Sequence, residues 1–314
     1  MKKILAIVLC ACMICALLAG CGSSESPAAA VEGDVLKIGI FEPATGENGA
    51  GGMQEVLGAR YANKVVPSVT VNGKEYKIEL VEVDNQSDKT AAVTAAQNLV
   101  SSGVIAVIGS YGSGVSIAAG STFEQAKIPA VGGSCTNPQV TLGNDYYFRV
   151  CFLDPFQGSV MANFAKDEFS AANAYVLSML GEDYGSGLAT YFVNAFEDLG
   201  GTVTSEQFPE GTSDFSAYIQ NAINAGADVI FAPCATTYAA QIITQAASAG
   251  FDKPITAGDT WESSVILDAQ KGTSVQVYCS TFFDENDDSG AAKEFVTGFK
   301  EWLNADSQKL TNNG

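Results

Sequence analysis

Short apolar runs alternate with helix-like segments along almost the whole chain. Strands are predicted at residues 35–41, 104–108, 128–131, 174–180 and 228–232, and helical segments separate most of them. Uninterrupted apolar runs of this length are typical of strands that are covered on both faces. The alternation therefore predicts an α/β fold in which helices cover both faces of parallel sheets.

The strand and helix pattern starts afresh near residue 150, which divides the chain into two similar halves. We expect a first lobe at residues 35–150 and a second lobe at residues 151–281. One antiparallel exception is predicted at residues 69–84, where Asn72 and Gly73 form a strong hairpin signal. Ligands of parallel α/β sheets bind beyond the carboxyl ends of the strands, so the two lobes should share a cleft.

The first 20 residues resemble a bacterial export signal. Two lysines precede an apolar stretch at residues 4–17, which is too short to span a bilayer comfortably. Residues 18–21 match a lipobox, which predicts that the signal is cleaved after residue 20 and that Cys21 receives a lipid. Residues 21–34 then form a flexible tether. This predicts an anchored protein outside the cytoplasm, and the alternatives are an ordinary signal peptide or an N-terminal membrane helix.

The chain is strongly acidic and contains no histidine. Its formal net charge is −19, from 16 Lys and Arg against 35 Asp and Glu. Binding to nucleic acid or, by charge, to anionic lipid needs basic patches, so the composition argues against both. Without histidine the chain lacks the commonest general base and the usual zinc ligand. We expect no cofactor and no metal site, and an enzyme becomes a weaker interpretation.

The cysteine pattern contains no metal or redox motif. Of eight cysteines, three lie in the predicted signal and Cys21 is the expected lipid acceptor. The other four are widely spaced and form no C-x-x-C pair. Buried free thiols are the expected state, and one or two disulfides stay open for a protein outside the cell. These four are Cys135, Cys151, Cys234 and Cys279.

Two loops rich in glycine and small polar residues are the most site-like features. Residues 109–114 and 132–138 each follow an apolar strand and precede a helical segment. Such a loop presents free backbone N–H groups and hydroxyls at a helix start, which suits a small anion. The first loop lacks the glycine spacing and the lysine of nucleotide-binding loops. Ser113 and Thr136 can each offer a hydroxyl and an N–H to a carboxylate, unless these residues merely cap helices.

Several short segments, taken in order, resemble one known protein family over almost all of residues 35–304. They are residues 43–46, 58–59, 128–129, 134–138 (Ser-Cys-Thr-Asn-Pro), 141, 148–149, 183–185 and 258–263. The sequence is similar to the branched-chain amino-acid-binding proteins of ABC transporters, which have the type I periplasmic-binding-protein fold. That resemblance implies two Rossmann-like lobes joined by a hinge, with residues 282–314 returning toward the first lobe.

The resemblance assigns the carboxylate of an amino-acid ligand to the first lobe. It implies that Ser113 binds the carboxylate with its side chain and backbone. Thr136 is implied to bind both the carboxylate and the ammonium, and the carbonyl of Ser134 to accept from the ammonium. Gly112 and Cys135, in the same loops, are expected among the ligand-binding residues.

The second lobe is implied to bind the ammonium. Asp259 would be its acidic partner, and Tyr184 would close over the ligand. Donors for the carboxylate and an acid for the ammonium then lie on different lobes, which makes closure depend on the ligand. Alternatively, Asp259 caps a helix and Tyr184 is a packed aromatic residue near the hinge.

The resemblance implies an extracytoplasmic, lipid-anchored solute-binding protein. It would capture a neutral amino acid, branched-chain or otherwise hydrophobic, and deliver it to an ABC permease without performing chemistry. The alternatives are a ligand-sensing module or a binding protein for another small carboxylate or amide. A histidine-free hydrolase that uses Asp259 and Glu262 is a further alternative.

Departures from the family bear on the ligand and on the length of the chain. Near Gly51 and near Ala235 the family archetype has ligand-facing aromatic residues that are missing here. Their loss implies a roomier or differently shaped pocket, which Tyr111, Tyr238 or Trp261 could refill. Family members also continue beyond the last residue of this sequence, so the resemblance implies that the C-terminal part is missing.

Overall fold

A computed structural model describes residues 33–305 of the 314-residue chain. The predicted signal, Cys21 and most of the predicted tether lie outside these residues. Among the helices within residues 33–305, none is long and apolar enough to cross a membrane.

The first lobe is built on six strands: β1 (Val35–Glu42), β2 (Ser68–Val71), β3 (Lys74–Asp84), β4 (Ala106–Ile108), β5 (Ala130–Gly132) and β6 (Tyr147–Arg149). Their order in the sheet is β2-β3-β1-β4-β5-β6, and all neighbours are parallel except β2 and β3. Those two strands form the predicted hairpin, in which Asn72 and Gly73 have φ of 51° and 79°. Positive φ at both turn residues matches the twist of the paired strands.

Three helices pack on this sheet: α1 (Gly49–Val65), α2 (Lys89–Ser101) and α3 (Ser113–Ala126). Asp88 caps α2, because its carboxylate accepts a hydrogen bond from the backbone N of Ala91 at 2.7 Å. The apolar faces enclose a core that includes Phe41, Leu99 and Phe123, each fully buried. This core fixes the strand ends from which the site loops leave.

Helix α1 begins earlier than the sequence suggests. Glycine-rich residues 46–52 favour a loose turn, since glycine has a low helix propensity. In the structure the helix nevertheless begins at Gly49. Glycines are needed in its first turn because this part of the helix packs too closely against other segments to leave room for side chains. A Cβ on Gly51 would lie 2.3 Å from the ring of Tyr111, and one on Gly52 would lie 2.2 Å from the carbonyl O of Pro43. Tertiary packing overrides local propensity at this point.

The second lobe is built on five parallel strands: β7 (Asn173–Met179), β8 (Thr202–Phe208), β9 (Val229–Phe231), β10 (Ile255–Ala257) and β11 (Val277–Cys279). Their order is β11-β10-β9-β7-β8. The flanking helices are α4 (Asp154–Phe169), α5 (Asp183–Asp198), α6 (Ser216–Asn224), α7 (Thr236–Ser248) and α8 (Ser264–Gln270). Tyr175 and Leu177 of β7 pack toward α6 and α7, and Ala174 and Val176 pack toward α4 and α5. Helices therefore cover both faces of this sheet.

Two connections join the lobes within residues 33–305. Residues 150–153 link β6 to α4, and residues 280–289 link β11 to α9 (Gly290–Ala305). Helix α9 packs on α1, where Trp302 meets Leu57 and Tyr61. Two parallel-sheet lobes connected in this way confirm the predicted fold class.

Candidate functional site

A cavity lies between the lobes. The residues around it come from loops that follow β1, β4 and β5 in the first lobe and β7, β9 and β10 in the second. This is the edge of parallel α/β sheets at which ligands bind. Five of the seven predicted ligand-binding residues line the cavity: Gly112, Ser113, Ser134, Tyr184 and Asp259.

The two glycine- and serine-rich loops lie side by side. Ser113 is the first residue of α3 and is 2% exposed. Its Oγ accepts a hydrogen bond from the backbone N of Asn137 at 3.2 Å, which ties the second loop to the first. The N–H groups of the first turn of α3 have no partner inside the helix, and the helix dipole adds partial positive charge there. The arrangement suits a carboxylate.

A pair of acidic side chains lies behind these loops. The backbone N of Tyr111 donates to Oε2 of Glu42 at 2.7 Å, and the Oγ of Ser134 donates to Oε1 of Glu55. Burial, and then the neighbouring Glu55 carboxyl, raises the pKa of Glu42 well above its ordinary value. Burial also raises the pKa of Glu55. The raised pKa values favour the neutral form of the pair, which lessens its repulsion of an anion on the loops.

Asp259 approaches the cavity from the second lobe, just after β10. Its Oδ1 accepts hydrogen bonds from Nε2 of Gln157 at 2.7 Å and from the hydroxyl of Tyr184 at 3.0 Å. Burial raises the pKa of Asp259 to about 6. Gly258 makes this cluster possible, because a Cβ there would lie 2.2 Å from the Tyr184 hydroxyl and 2.9 Å from Nε2 of Gln157.

Asp154 is a second buried acid, which sequence reasoning missed; it lies close enough to Asp259 to feel its charge but does not line the cavity. It is the first residue of α4 and is fully buried. Neither of its carboxyl oxygens accepts a regular hydrogen bond from residues 33–305. Burial raises the pKa of Asp154 to about 7, and the charge of Asp259 adds to the rise. In the sequence Asp154 precedes Pro155 at a helix start, where an acid is common for helix stability alone.

Two predicted ligand-binding residues do not line the cavity. Thr136 is fully buried, and its carbonyl accepts a hydrogen bond from the backbone N of Asp154 at 3.1 Å. The side chain of Cys135 lies in the core of the first lobe, where a Cβ on Gly132 would meet its Sγ at 2.0 Å. The carbonyl of Cys135 helps to hold the loop in place, because it accepts a hydrogen bond from Nη1 of Arg149 at 2.8 Å.

Two tyrosines supply aromatic surface to the cavity, although the ligand-facing aromatic residues of the family archetype near Gly51 and Ala235 are missing. Tyr111 and Tyr238 both line the cavity. The ring of Tyr111 occupies the space beside Gly51, so an aromatic residue from another loop takes the place left empty by α1. Trp261 does not contribute, because it is buried in the core of the second lobe and its Nε1 donates to the carbonyl of Cys234 at 3.0 Å.

The charged groups around the cavity are acidic. Glu182 caps α5 by accepting from the backbone N of Tyr184 and of Gly185, and burial raises the pKa of Glu182 to about 7. Burial also raises the pKa of Glu47. Among residues 33–305, no lysine or arginine lines this cavity, and no group of His, Cys, Asp and Glu is arranged to hold a metal ion. The cavity therefore favours a ligand that carries a positive group.

Direct polar contacts hold the two lobes together around the cavity. Lys89 of the first lobe forms a 2.7 Å ion pair with Asp183 of the second. Three hydrogen bonds accompany it: Asn137 Nδ2 to the Asp183 carbonyl at 2.8 Å, Thr237 Oγ1 to the Glu47 carbonyl at 3.1 Å, and the Tyr111 hydroxyl to the Thr260 carbonyl at 3.3 Å. The lobes are therefore in a closed arrangement.

Known proteins share this sequence pattern and fold. The family model described as "Periplasmic binding protein" matches residues 35–311. The Leu/Ile/Val-binding protein homolog 1 of Brucella abortus (strain 2308) is 32% identical over 274 residues, which are 85% of this chain and 72% of that protein.

Two solved structures are similar in fold and sequence. The leucine-binding protein LivK of Thermotoga maritima MSB8 superposes with a TM-score of 0.80 at 34% identity, covering 86% of this chain and 77% of that one. The branched-chain amino acid transporter substrate-binding protein LivJ of Streptococcus pneumoniae, in complex with isoleucine, gives 0.78 at 29% identity, covering 86% and 78%. With two lobes closed over a cavity of this composition, the chain belongs to the periplasmic binding protein family, whose members bind solutes outside the cytoplasm.

Proposed function

We propose that this protein binds a hydrophobic amino acid between its lobes and delivers it to an ABC permease. The observation that carries the proposal is the division of charge across the cleft. Ser113 and Ser134 lie on the first lobe, and Asp259 with Tyr184 lies opposite them on the second. An α-amino acid has one anionic and one cationic end, and it can meet both partners only when the lobes are closed.

The carboxylate of the ligand is assigned to the first lobe. The start of α3 offers backbone N–H groups and the hydroxyl of Ser113. A carboxylate held there accepts charge-assisted hydrogen bonds, which are stronger than neutral ones. Burial raises the pKa values of Glu42 and Glu55 behind the loops, which lessens their repulsion of the carboxylate.

The ammonium of the ligand is assigned to Asp259, with Asp154 as a second acid nearby. Both carboxyls are buried, and burial raises the pKa of each. A buried carboxylate without a cationic partner is unfavourable, and an ammonium group would restore its ionised form. In this proposal Thr136 acts through its carbonyl, which accepts from the backbone N of Asp154 and fixes the position of that residue.

The side chain of the ligand is assigned to the remaining walls, where Tyr111, Met179 and Tyr238 supply apolar surface. The names of the similar proteins, a Leu/Ile/Val-binding homolog, a leucine-binding protein and a complex with isoleucine, support leucine, isoleucine and valine as the ligands to test first.

The proposal includes a membrane anchor. The lipobox at residues 18–21 supports lipidation of Cys21, with the tether holding the lobes above the bilayer. In cells that express the full chain, a labelled fatty acid should be incorporated into the wild type and not into Cys21→Ser. Label that persists in the variant would contradict anchoring at this residue.

Calorimetric titration of the full chain tests the amino-acid proposal. Leucine, isoleucine and valine should bind, whereas the desamino analogue of leucine should bind much more weakly because it leaves Asp259 unpaired. Equal affinity for the desamino analogue, or binding of benzoate instead, would favour the small-carboxylate alternative. Recovery of the ligand unchanged after prolonged incubation is expected from a protein that performs no chemistry, and a new product would point to the hydrolase alternative.

A further inference from the structure

Two of the four cysteines within residues 33–305 lie next to each other. The Sγ of Cys135 sits over Gly132 at the end of β5, where a Cβ would meet it at 2.0 Å. Gly132 is paired with Arg149 of β6, and the backbone N of Val150 donates to the Gly132 carbonyl at 3.1 Å. The next residue is Cys151, whose thiol is close enough to that of Cys135 for the two to affect each other's pKa. Both cysteines are free thiols in this structure.

We propose that Cys135 and Cys151 are a disulfide site that joins the second ligand loop to the first connection between the lobes. The two cysteines lie in the segments that follow the paired strands β5 and β6, and the pairing of Gly132 with Arg149 places these segments side by side. A disulfide requires such close segments. The compartment fits, since members of this family work outside the cytoplasm, where disulfides form and persist.

The two thiols differ in accessibility and in pKa, and a stepwise oxidation requires such a difference. Cys151 is half-buried and therefore reachable, whereas Cys135 is fully buried. The interaction with Cys135, followed by the nearby charge of Arg149, lowers the pKa of Cys151. The same interaction and burial raise the pKa of Cys135. Because Cys151 is the thiol that an external disulfide can reach, we assign it as the attacking thiol and Cys135 as the resolving thiol.

The oxidant is an external disulfide, either a small one such as oxidised glutathione or that of a thiol oxidoreductase. The Cys151 thiolate attacks one sulfur of the oxidant, and the other sulfur leaves as a thiolate. Cys135 then loses its proton and attacks Sγ of Cys151 in the mixed disulfide, which releases the second oxidant sulfur as a thiolate. Two protein thiols are oxidised, one external disulfide is reduced to two thiols, and the electrons balance.

The bond would act on the ligand site without touching the ligand. Residues 134–137 carry Ser134, and the loop is bonded to Ser113 through Asn137. Residues 150–153 connect the lobes and lead to Asp154 at the start of α4. A covalent link between these segments limits how far the second ligand loop can move when the lobes open.

Peptide mass spectrometry on the full chain tests the site directly. The protein is incubated with oxidised glutathione, its free thiols are alkylated without reductant, and it is then digested. The expected product is a linked pair of peptides containing Cys135 and Cys151, with Cys234 and Cys279 alkylated. Alkylation of both Cys135 and Cys151, or a link of either to another cysteine, would overturn the proposal.

Thermal unfolding supplies a second readout. Closing a short loop by a disulfide should raise the melting temperature of the oxidised wild type by about 5–10 °C over the reduced protein. Cys151→Ser should melt at the same temperature with and without reductant. Cys279→Ser, a half-buried matched control, should keep the reductant-sensitive shift. A wild-type melting temperature that does not respond to reductant after glutathione treatment would contradict the link.

Discussion

The hydroxyl of Tyr184 donates a hydrogen bond to Oδ1 of Asp259 across 3.0 Å. Tyr184 belongs to the first turn of α5, and Asp259 follows β10, so two separate strand-to-loop transitions of the second lobe meet at one carboxylate. Nε2 of Gln157 donates to the same oxygen and also to Oγ of Ser280, at 2.7 Å and 2.6 Å. Tyr184 and Gln157 therefore hold Asp259 in one orientation.

Replacing Asp259 by Asn should abolish most of the affinity for amino acids. A buried ammonium that loses its ionic partner costs about 2–5 kcal/mol, which corresponds to a roughly 30-fold or greater rise in Kd. Calorimetric titration with leucine measures the change. The exposed Asp252→Asn serves as a control of equal charge change and should bind like the wild type. Wild-type affinity of the Asp259→Asn protein would show that Asp259 does not bind the ammonium of the ligand.

Affinity for an amino acid should fall as the pH is lowered from about 7 to about 5. The pKa values of Asp259 and Asp154 are raised to about 6 and about 7, so both carboxyls gain protons across this range. An ammonium ligand needs the ionised form and must displace those protons, at a cost of up to about tenfold per pH unit for each group. Above about pH 8 the affinity should level off.

The measurement for that pH dependence is calorimetric titration at several pH values, in buffers of different ionisation enthalpy. Proton release on binding should be largest near pH 6–7, between the two raised pKa values. A desamino acid should show no such release. If amino-acid affinity were constant from pH 5 to pH 8, or greater in acid, ammonium binding to these carboxylates would be ruled out.

Gly51→Ala should weaken ligand binding through Tyr111. The added Cβ would lie 2.3 Å from the Tyr111 ring, which must move out of its place in the cavity wall. Gly58→Ala, in the same helix with open space around it, is the matched control. That control should keep its affinity and gain up to about 1 kcal/mol in the free energy of unfolding.

A double-mutant cycle separates a local clash from general damage to α1. On a Tyr111→Ala background, Gly51→Ala should cause almost no further loss of affinity, because the ring it displaces is already gone. Additive losses in the double variant would mean that Gly51 acts by some route other than Tyr111.

Ser113→Ala should have a smaller effect than the loss of Asp259. The backbone N–H groups of α3 remain, so the loss of one hydroxyl costs about 0.5–1.5 kcal/mol, or about 2- to 10-fold in Kd. Titration with leucine checks this, and Ser159→Ala, an exposed helical serine of the second lobe, is the control. A loss as large as that of Asp259→Asn would show that the hydroxyl has a greater share of carboxylate binding than the backbone.

Lys89→Met should raise Kd by less than about fivefold, and by the same factor for every ligand. The Lys89–Asp183 ion pair joins the lobes at 2.7 Å, but both side chains are substantially exposed, and such pairs contribute at most about 1 kcal/mol. The effect should shrink at high salt. Lys253→Met breaks a pair within one lobe and should leave Kd unchanged. A change in the ranking of ligands would contradict a role in closure alone.

Much of the fold could be predicted because its determinants are local. Apolar runs locate the strands, Asn72 and Gly73 set the hairpin, and Asp88 caps the start of α2. The start of α1 could not be predicted, since it depends on how closely Gly51 and Gly52 pack against other segments. Local propensity contains no information about such distant contacts.

The candidate site could likewise be predicted only in part. Loop chemistry and family resemblance pointed to Ser113, Ser134 and Asp259, which all reach the cavity. Asp154 was missed, because an acid before a proline at a helix start is common without any ligand. Its burial and its unpaired oxygens appear only once Thr136 and the second lobe are packed against it. The roles of these residues stay predictions until binding is measured.

The position of Tyr111 has a consequence for ligand size. One face of its ring fills the space beside Gly51, and its hydroxyl reaches across the cleft to the carbonyl of Thr260. A ligand side chain long enough to push the ring aside would also separate that hydroxyl from the opposite lobe. Oversized ligands should then be penalised twice, by steric conflict and by a less stable closed form, so this one aromatic residue would set an upper limit on the length of the ligand side chain.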